Sequence, residues 1–324
     1  MITVREALDC YLDEIDGNLS ANTHRVYSQA TDHFVAVLAE HDLFPTTTPI
    51  EDLSSDWMAW FIRYLRQFAV NTEELYLTAL FGFYHYSEAE GWVDVNFSAL
   101  RELRRRRGRR EGTRLPEFPR DEIQAVLDYV DQMAAGPFED EGERLRALRD
   151  RALLFVLADT GLRVSEACSL TRGHLDWREG RAIVLGKGDK EAVVRFSERS
   201  LHKLRAYLDA RAELDGSQGK PLRSLHLFAR HDRGAGKRVL GISARTAEYI
   251  VERWVVAALG EKARGAITPH TFRHYFVTMV LRGSGGNLRL AQELARHETV
   301  ATTQRYTHLS DDELDRGYHD VFNR

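Results

Sequence analysis

Apolar side chains return every three or four residues through much of this chain, the spacing that gathers them on one face of an α-helix. In residues 23–40 they are Val26, Ala30, Phe34, Val37 and Leu38, with Ser20 or Asn22 placed to cap the first turn. Residues 56–68 carry Trp57, Trp60, Phe61, Tyr64, Leu65 and Phe68 on the same rule, and residues 72–91 carry Leu75, Leu77, Leu80, Phe83 and Tyr84. Residues 1–100 therefore predict a bundle of about four helices. The aromatics keep the helical period, which assigns them to the core of that bundle and not to a ligand.

The pattern resumes beyond Leu115-Pro116. Pro119 and Asp121 suit the first turn of a helix running through Ile123, Val126, Leu127 and Val130. A second helix over 145–159 stops at Thr160-Gly161. Two apolar runs, 181–185 and 191–196, flank a Gly-rich turn and predict a β-hairpin. Helices follow over 198–211, 243–258 and 268–281, then around 297–306 and 311–322. The expected fold class is mainly α with a small antiparallel β-sheet.

Charge divides the chain differently from hydrophobicity. The formal net charge is −4, which by itself argues weakly against a polyanionic ligand. Residues 1–100, however, hold 4 Arg and no Lys against 16 Asp plus Glu, a balance of −12 that leaves +8 for the remainder. Residues 101–114 supply much of that excess, with 8 Arg against 2 Glu. Like charges this dense repel one another and favour an extended linker over a packed helix. The run reads as a solvated tether between two domains and as a strap of phosphate contacts.

No apolar run approaches the roughly 20 residues that span a bilayer. The first residues are acidic and lack the apolar core of a signal peptide, so a cytoplasmic location without membrane contact is expected. Cys10 and Cys168 are far apart, without metal-ligand spacing, and both are read as buried thiols.

Four segments of the second half hold cationic or protonatable groups in contexts that would fix them. In Thr160-Gly-Leu-Arg-Val-Ser-Glu166, Gly161 breaks one helix and Arg163 stands where the next begins, beside backbone N–H groups suited to an anion. In Gly186-Lys-Gly188 a lysine sits between two glycines at the hairpin tip. In Thr268-Pro-His-Thr-Phe-Arg-His274, Thr268 is an N-cap, Pro269 fits the first helical position, and His270 and Arg273 share one helix face. The fourth segment runs from His297 to Tyr306 and His308. Each has an ordinary structural explanation when taken alone: a surface arginine, a solvated turn lysine, an accidental His-x-x-Arg, a capping histidine with a core tyrosine.

Their order does not. Arg, Gly-Lys-Gly, His-x-x-Arg, His, and Tyr nine residues later together resemble the tyrosine recombinase (phage integrase) family, most closely its Xer-type members. The likeness extends to 19–27, similar to that family's entry into its N-terminal domain, to Leu115-Pro116 at the start of its catalytic domain, and to the segment after Tyr306. It implies a helical, SAM-like core-binding domain at 1–100, an Arg-rich linker at 101–114 and an α+β catalytic domain at 115–324, closing on DNA as a C-shaped clamp. It also implies strand cleavage and rejoining at specific sites. Tyr306 would be the nucleophile that forms a 3′-phosphotyrosyl bond. Arg163 and Arg273 would hold the non-bridging oxygens, His270 would act as acid/base, Lys187 would protonate the leaving 5′ oxygen, and His297 would donate a hydrogen bond to the phosphate. Neither metal nor other cofactor is implied.

Double-stranded DNA is the expected partner. Contact candidates are Thr23, Arg25, Arg104, Arg105, Arg106 and Arg107, with Arg245 placed for base readout. Leu314, Tyr318, Val321 and Phe322 form an apolar stripe on the terminal helix, expected over about 311–322. In the family that helix docks into a neighbouring subunit, implying a homotetramer on two DNA sites. The acidic first domain adds the expectation of a regulatory protein partner. Two other readings share the chemistry or the fold: a type IB topoisomerase and a catalytically silent DNA-binding protein. One departure stands out. The family usually has Leu-Gly-His where this chain has Ala295-Arg296-His297, and a non-Gly residue at positive φ costs roughly 1 kcal/mol or more.

Overall fold

The computed structural model describes residues 2–19, 21–107, 119–185 and 191–297, with only the backbone for Arg106, Arg107 and Leu185. The Ser20 cap, Arg109, Arg110, Arg114, Leu115-Pro116, the hairpin tip with Lys187, Tyr306 and the terminal helix at 311–322 lie outside the described residues. The chain divides into two compact units, Met1–Pro116 and Glu117–Arg324.

The first unit is helical. Thr3 opens α1 (Val4–Asn18) through a capping box, its hydroxyl accepting from the Glu6 N–H at 3.3 Å while the Glu6 carboxylate accepts from the Thr3 N–H at 2.8 Å. There follow α2 (Ala21–Glu40), α3 (Ser55–Tyr64) and α4 (Val70–Ala89). Phe34, Phe61, Phe83 and Tyr84 meet, fully buried, at their centre. Each side chain of this size contributes about 1.5–3 kcal/mol by leaving water. The helical period is right for these residues but not for Leu75, which faces solvent at 45% exposure. Cys10 is also exposed, on the outer face of α1, so only Cys168 is the buried thiol expected of both.

A fifth helix, α5 (Phe97–Arg107), corrects the expectation that the arginine run is extended from residue 101. Leu100 is fully buried and Leu103 and Phe97 pack on the same core, which outweighs the repulsion among neighbouring arginines. That repulsion is also relieved locally: Arg105 pairs with Glu102 at 2.8 Å, and the Arg104 guanidinium lies 5.3 Å from the centre of the Phe81 ring.

The second unit begins with α6 (Arg120–Met133) and α7 (Glu141–Thr160). Every residue from Ala152 to Ala158 is buried, so α7 is the central helix, covered by its neighbours on all sides. After the short α8 (Val164–Ser169) come β1 (Leu175–Asp176), β2 (Arg181–Leu185) and β3 (Glu191–Arg195). They form an antiparallel sheet in chain order, with Arg181 opposite Arg195 and Leu185 opposite Glu191. Among the described residues the remaining α-helices are α9 (Glu198–Ala210), α10 (Ala212–Gly216), α11 (Ala244–Leu259), α12 (Pro269–Gly283) and α13 (Leu288–Ala295). The observed class is mainly helical with one small antiparallel sheet. Asp159, near the end of α7, accepts from Arg199 at 2.7 Å and from the Ser197 hydroxyl, fixing the strand–helix corner after β3 against the central helix.

Candidate active site

Three helix ends of the second unit meet. At the first, Gly161 ends α7 with φ +60°, and a Cβ there would lie 2.4 Å from the Phe276 ring. Both the left-handed backbone and the close approach demand glycine. The chain then turns so that Arg163 is the N-cap of α8, in extended conformation. Glu166, one turn on, accepts from the Arg163 backbone N–H at 2.9 Å and from its guanidinium at 2.8 Å.

The second end is the start of α12. Thr268 and Thr271 cap it reciprocally, each hydroxyl accepting from the other's N–H at 3.3 and 3.0 Å, and Pro269 supplies the first helical residue. His270 therefore stands at the helix N-terminus. Arg273, one turn further, is buried and donates to the carbonyl oxygens of Gly161 and Ala295. The third end is the close of α13, which Asn287 caps at its start. There the Arg296 N–H donates to Glu293 O and the His297 N–H to Gln292 O, both at 3.1 Å, the paired bonds of a Schellman turn. The residue that turns left-handed, usually glycine, is Arg296, at φ +58° and ψ +45°. A side chain there costs about 1–2 kcal/mol.

Burial and the neighbouring arginine charges set the electrostatics of the two histidines. Partial burial, then the charges of Arg273 and Arg163, hold His270 below the ordinary histidine range. Burial, then Arg273, Arg163, His270 and Arg296, press His297 down to about 4. Burial first, and the surrounding cations second, thus favour the neutral form of both rings, and the cations make the pocket suited to an anion. The fold gathers four of the six residues expected at the site: Arg163, His270, Arg273 and His297. Lys187 and Tyr306 lie outside the described residues; β2 and β3, which flank Lys187, are paired to their last described residues. Among the described residues no group of three or more His, Cys, Asp or Glu is arranged to hold a metal ion.

Two residues of the cluster are not among the six expected at the site. Glu166 holds Arg163, and its signal was its place three residues after that arginine at a helix start. Arg296 was noticed as a departure, yet its guanidinium turns to Glu166 at 2.8 Å, a contact no spacing rule foretells.

The DNA-contact candidates lie elsewhere. Arg25, on the first turns of α2, donates to Asn22 at 3.0 Å, and Thr23 is half-buried beside it. Arg104 and Arg105 line a groove of about 540 Å³ with Arg101, His85, Phe81 and Thr78. Arg106 and Arg107 continue the α5 backbone. Arg245, in the first turn of α11, is 92% exposed and reaches Glu248 at 3.4 Å.

A profile described as the phage integrase family matches residues 118–313. The chain is similar to tyrosine recombinase XerC of Pelobacter propionicus, with 32% identity across 93% of this chain and 89% of the relative. It is similar as well to tyrosine recombinase XerC of Herpetosiphon aurantiacus, with 30% identity over 92% and 88%. In fold it resembles a XerH site-specific recombinase solved in a post-cleavage complex with a palindromic difH substrate, with a TM-score of 0.68 at 19% identity over 93% of this chain and 80% of that one.

Proposed function

This chain belongs to the phage integrase family of tyrosine recombinases, and from that membership we propose how it cuts and rejoins DNA. It is a site-specific DNA recombinase, an enzyme that breaks and rejoins strands. Its curated relatives are recombinases by name, which favours this reading over a type IB topoisomerase or a silent DNA-binding protein.

In the proposed reaction a DNA phosphodiester enters among Arg163, His270, Arg273 and His297. The Tyr306 oxygen attacks phosphorus, and the bond to the 5′ oxygen breaks, leaving a 3′-phosphotyrosyl ester and a 5′-hydroxyl. A tyrosine hydroxyl, with an ordinary pKa of about 10, needs a base near neutral pH. His270, kept in its neutral form by partial burial and then by the Arg273 and Arg163 charges, can take that proton. Lys187 supplies a proton to the departing 5′ oxygen. Arg163 and Arg273 carry the charge that grows on the non-bridging oxygens; a guanidinium has five N–H donors, so Arg273 serves backbone carbonyls and phosphate together. His297, neutral, donates from one ring nitrogen. A second 5′-hydroxyl reverses the steps and joins the strands. The broken ester's energy is retained in the phosphotyrosyl bond, so the scheme uses neither ATP nor metal.

The observation that carries this reading is the convergence of Arg163, His270, Arg273 and His297 from three helix ends. The test uses a nicked suicide DNA duplex bearing the chain's site. A protein–DNA band that survives denaturation and vanishes in Tyr306→Phe is expected; a band persisting in that variant would remove Tyr306 as nucleophile.

The domain assignment proposed is a core-binding domain at 1–100 and a catalytic domain at 115–324, with the joining arginines now helical as far as Arg107. Assembly follows from the apolar stripe at 314–322: four protomers on two DNA sites, lost on deletion of residues 311–324. The acidic surface of 1–100 is proposed to meet a regulatory protein, and the enzyme to act in the cytoplasm. Among the described residues no helix is long and apolar enough to cross a membrane.

A further inference from the structure

Glu166 carries two guanidinium groups at once. Arg163 Nη1 lies 2.8 Å from its Oε1, and Arg296 Nη2 lies 2.8 Å from its Oε2. The three side chains differ in burial: Arg163 is 44% exposed, Arg296 12% and Glu166 7%. Arg296 also approaches the Gly161 carbonyl at 3.4 Å, and its buried Nε and Nη1 make no hydrogen bond among the described residues. Its guanidinium is therefore held on the Glu166 carboxylate, while Arg163 is the more exposed of the two arginines.

That arrangement bears on a conflict within the proposed reaction. A phosphate that draws Arg163 towards it draws it from Glu166. Without a second cation, Glu166 would become a buried carboxylate with no cation to balance it, held only by the Arg163 backbone N–H and beside a DNA phosphate of the same sign. Uncompensated buried charge is strongly unfavourable, so the carboxylate would compete with the phosphate for Arg163. Glycine at position 296 would leave that competition in place.

We propose that Arg296 is a positioning residue that neutralises Glu166, so that Arg163 is released from the carboxylate to the scissile phosphate. It acts through Arg163 and not on the DNA, since its guanidinium is buried against Glu166 and Gly161. Two arginines thus share the one carboxylate, while Arg273 is held by the backbone carbonyls of Gly161 and Ala295. The inference rests on the recombinase reading above and deepens it.

The test is a double-mutant cycle in the full chain between Arg296→Gly and Glu166→Gln. Glycine suits the left-handed backbone at 296, so Arg296→Gly is expected to melt at or above the temperature of the parent. The first readout needs no DNA: inorganic phosphate is titrated and followed by the ring resonances of His270 and His297. Arg296→Gly is expected to bind phosphate about tenfold more weakly, whereas in the Glu166→Gln background it has less than about threefold effect, the coupling of contacting charges. The second readout is single-turnover covalent joining to a phosphorothiolate duplex carrying a site that the chain selects from random sequence. There Arg296→Gly is expected to slow joining about 10- to 100-fold, with most of the loss restored by Glu166→Gln. A merely structural arginine would show no such rescue. The proposal is overturned if the two losses simply add, or if Arg296→Gly matches the parent in both readouts. If the phosphate cycle shows the rescue while the parent forms no covalent complex, the role of Arg296 stands and the cleavage reading fails.

Discussion

Arg273 donates to the backbone carbonyl of Ala295, tying the first turns of α12 to the last residue of α13. Its other terminal nitrogen holds the carbonyl of Gly161, where α7 ends. One buried arginine thus joins the three helix ends that present Arg163, His270 and His297, and its charge faces the same pocket. The scaffold and the proposed chemistry thus meet in one side chain, with separable consequences for its replacement.

Arg273→Lys keeps the charge but replaces two terminal nitrogens, each on its own carbonyl, with a single nitrogen that lacks the planar fork matching both positions. Each lost charge-assisted bond is worth about 1.5–3 kcal/mol, so urea unfolding should show a loss of at least that size. Covalent complex formation should fall by about 10²-fold or more, because the fork that meets phosphate oxygens is gone. Unchanged stability would mean that the two carbonyls do not depend on this residue.

Gly161→Ala meets two separate penalties. The left-handed backbone costs about 1–2 kcal/mol with a Cβ, and overlap with the Phe276 ring adds about 1–3 kcal/mol. Adding Phe276→Leu should recover the second part and not the first. Thermal unfolding of the single and double variants separates them.

Stability should depend on pH through the histidines. His297 is held at about 4 in the folded chain against an ordinary 6.5. Between those values the unfolded chain binds a proton that the folded pocket refuses. The contribution is therefore fully present above pH 6.5 and is lost as pH falls towards 4. His270, also lowered, acts in the same direction. Urea unfolding at steps from about pH 7.5 to about 4.5 should show this decline, and His297→Gln should make it shallower.

Within the first unit, Leu100→Ala should cost about 2–5 kcal/mol, because it empties a fully buried position under α5. Arg105→Ala, which removes only a surface pair with Glu102, should change stability by less than about 0.5 kcal/mol. Equal effects in urea unfolding would show that α5 is not held by its apolar side.

DNA binding should separate two kinds of arginine. Arg104→Ala is expected to weaken binding similarly on all sequences and to reduce the slope of log K against log salt by about 1. Arg245→Ala should cost about 1–3 kcal/mol on the preferred site while leaving non-specific binding nearly unchanged. Fluorescence anisotropy over a salt series measures both.

What the sequence determined by itself was the part written in local periods and local chemistry. Helical spacing located α2, α3, α4, α7, α9, α11 and α12, and cap residues such as Thr268 marked where they start. Gly161 announced its break, and the ordered Arg163, His270, Arg273 and His297 were legible because each sits in a short motif. The tertiary structure decided what depends on partners distant in the chain. The arginine run is helical to Arg107 because Leu100 and Leu103 find a core, a gain that charge counting along the chain does not contain. Cys10 faces outward because helical period assigns a face only after packing chooses it. Arg296 is tolerated at positive φ, and directed to Glu166, because α13 ends against the start of α8, 130 residues earlier in the chain. Long-range contacts of this kind set the charge of the pocket, and nothing in the spacing of neighbouring residues encodes them.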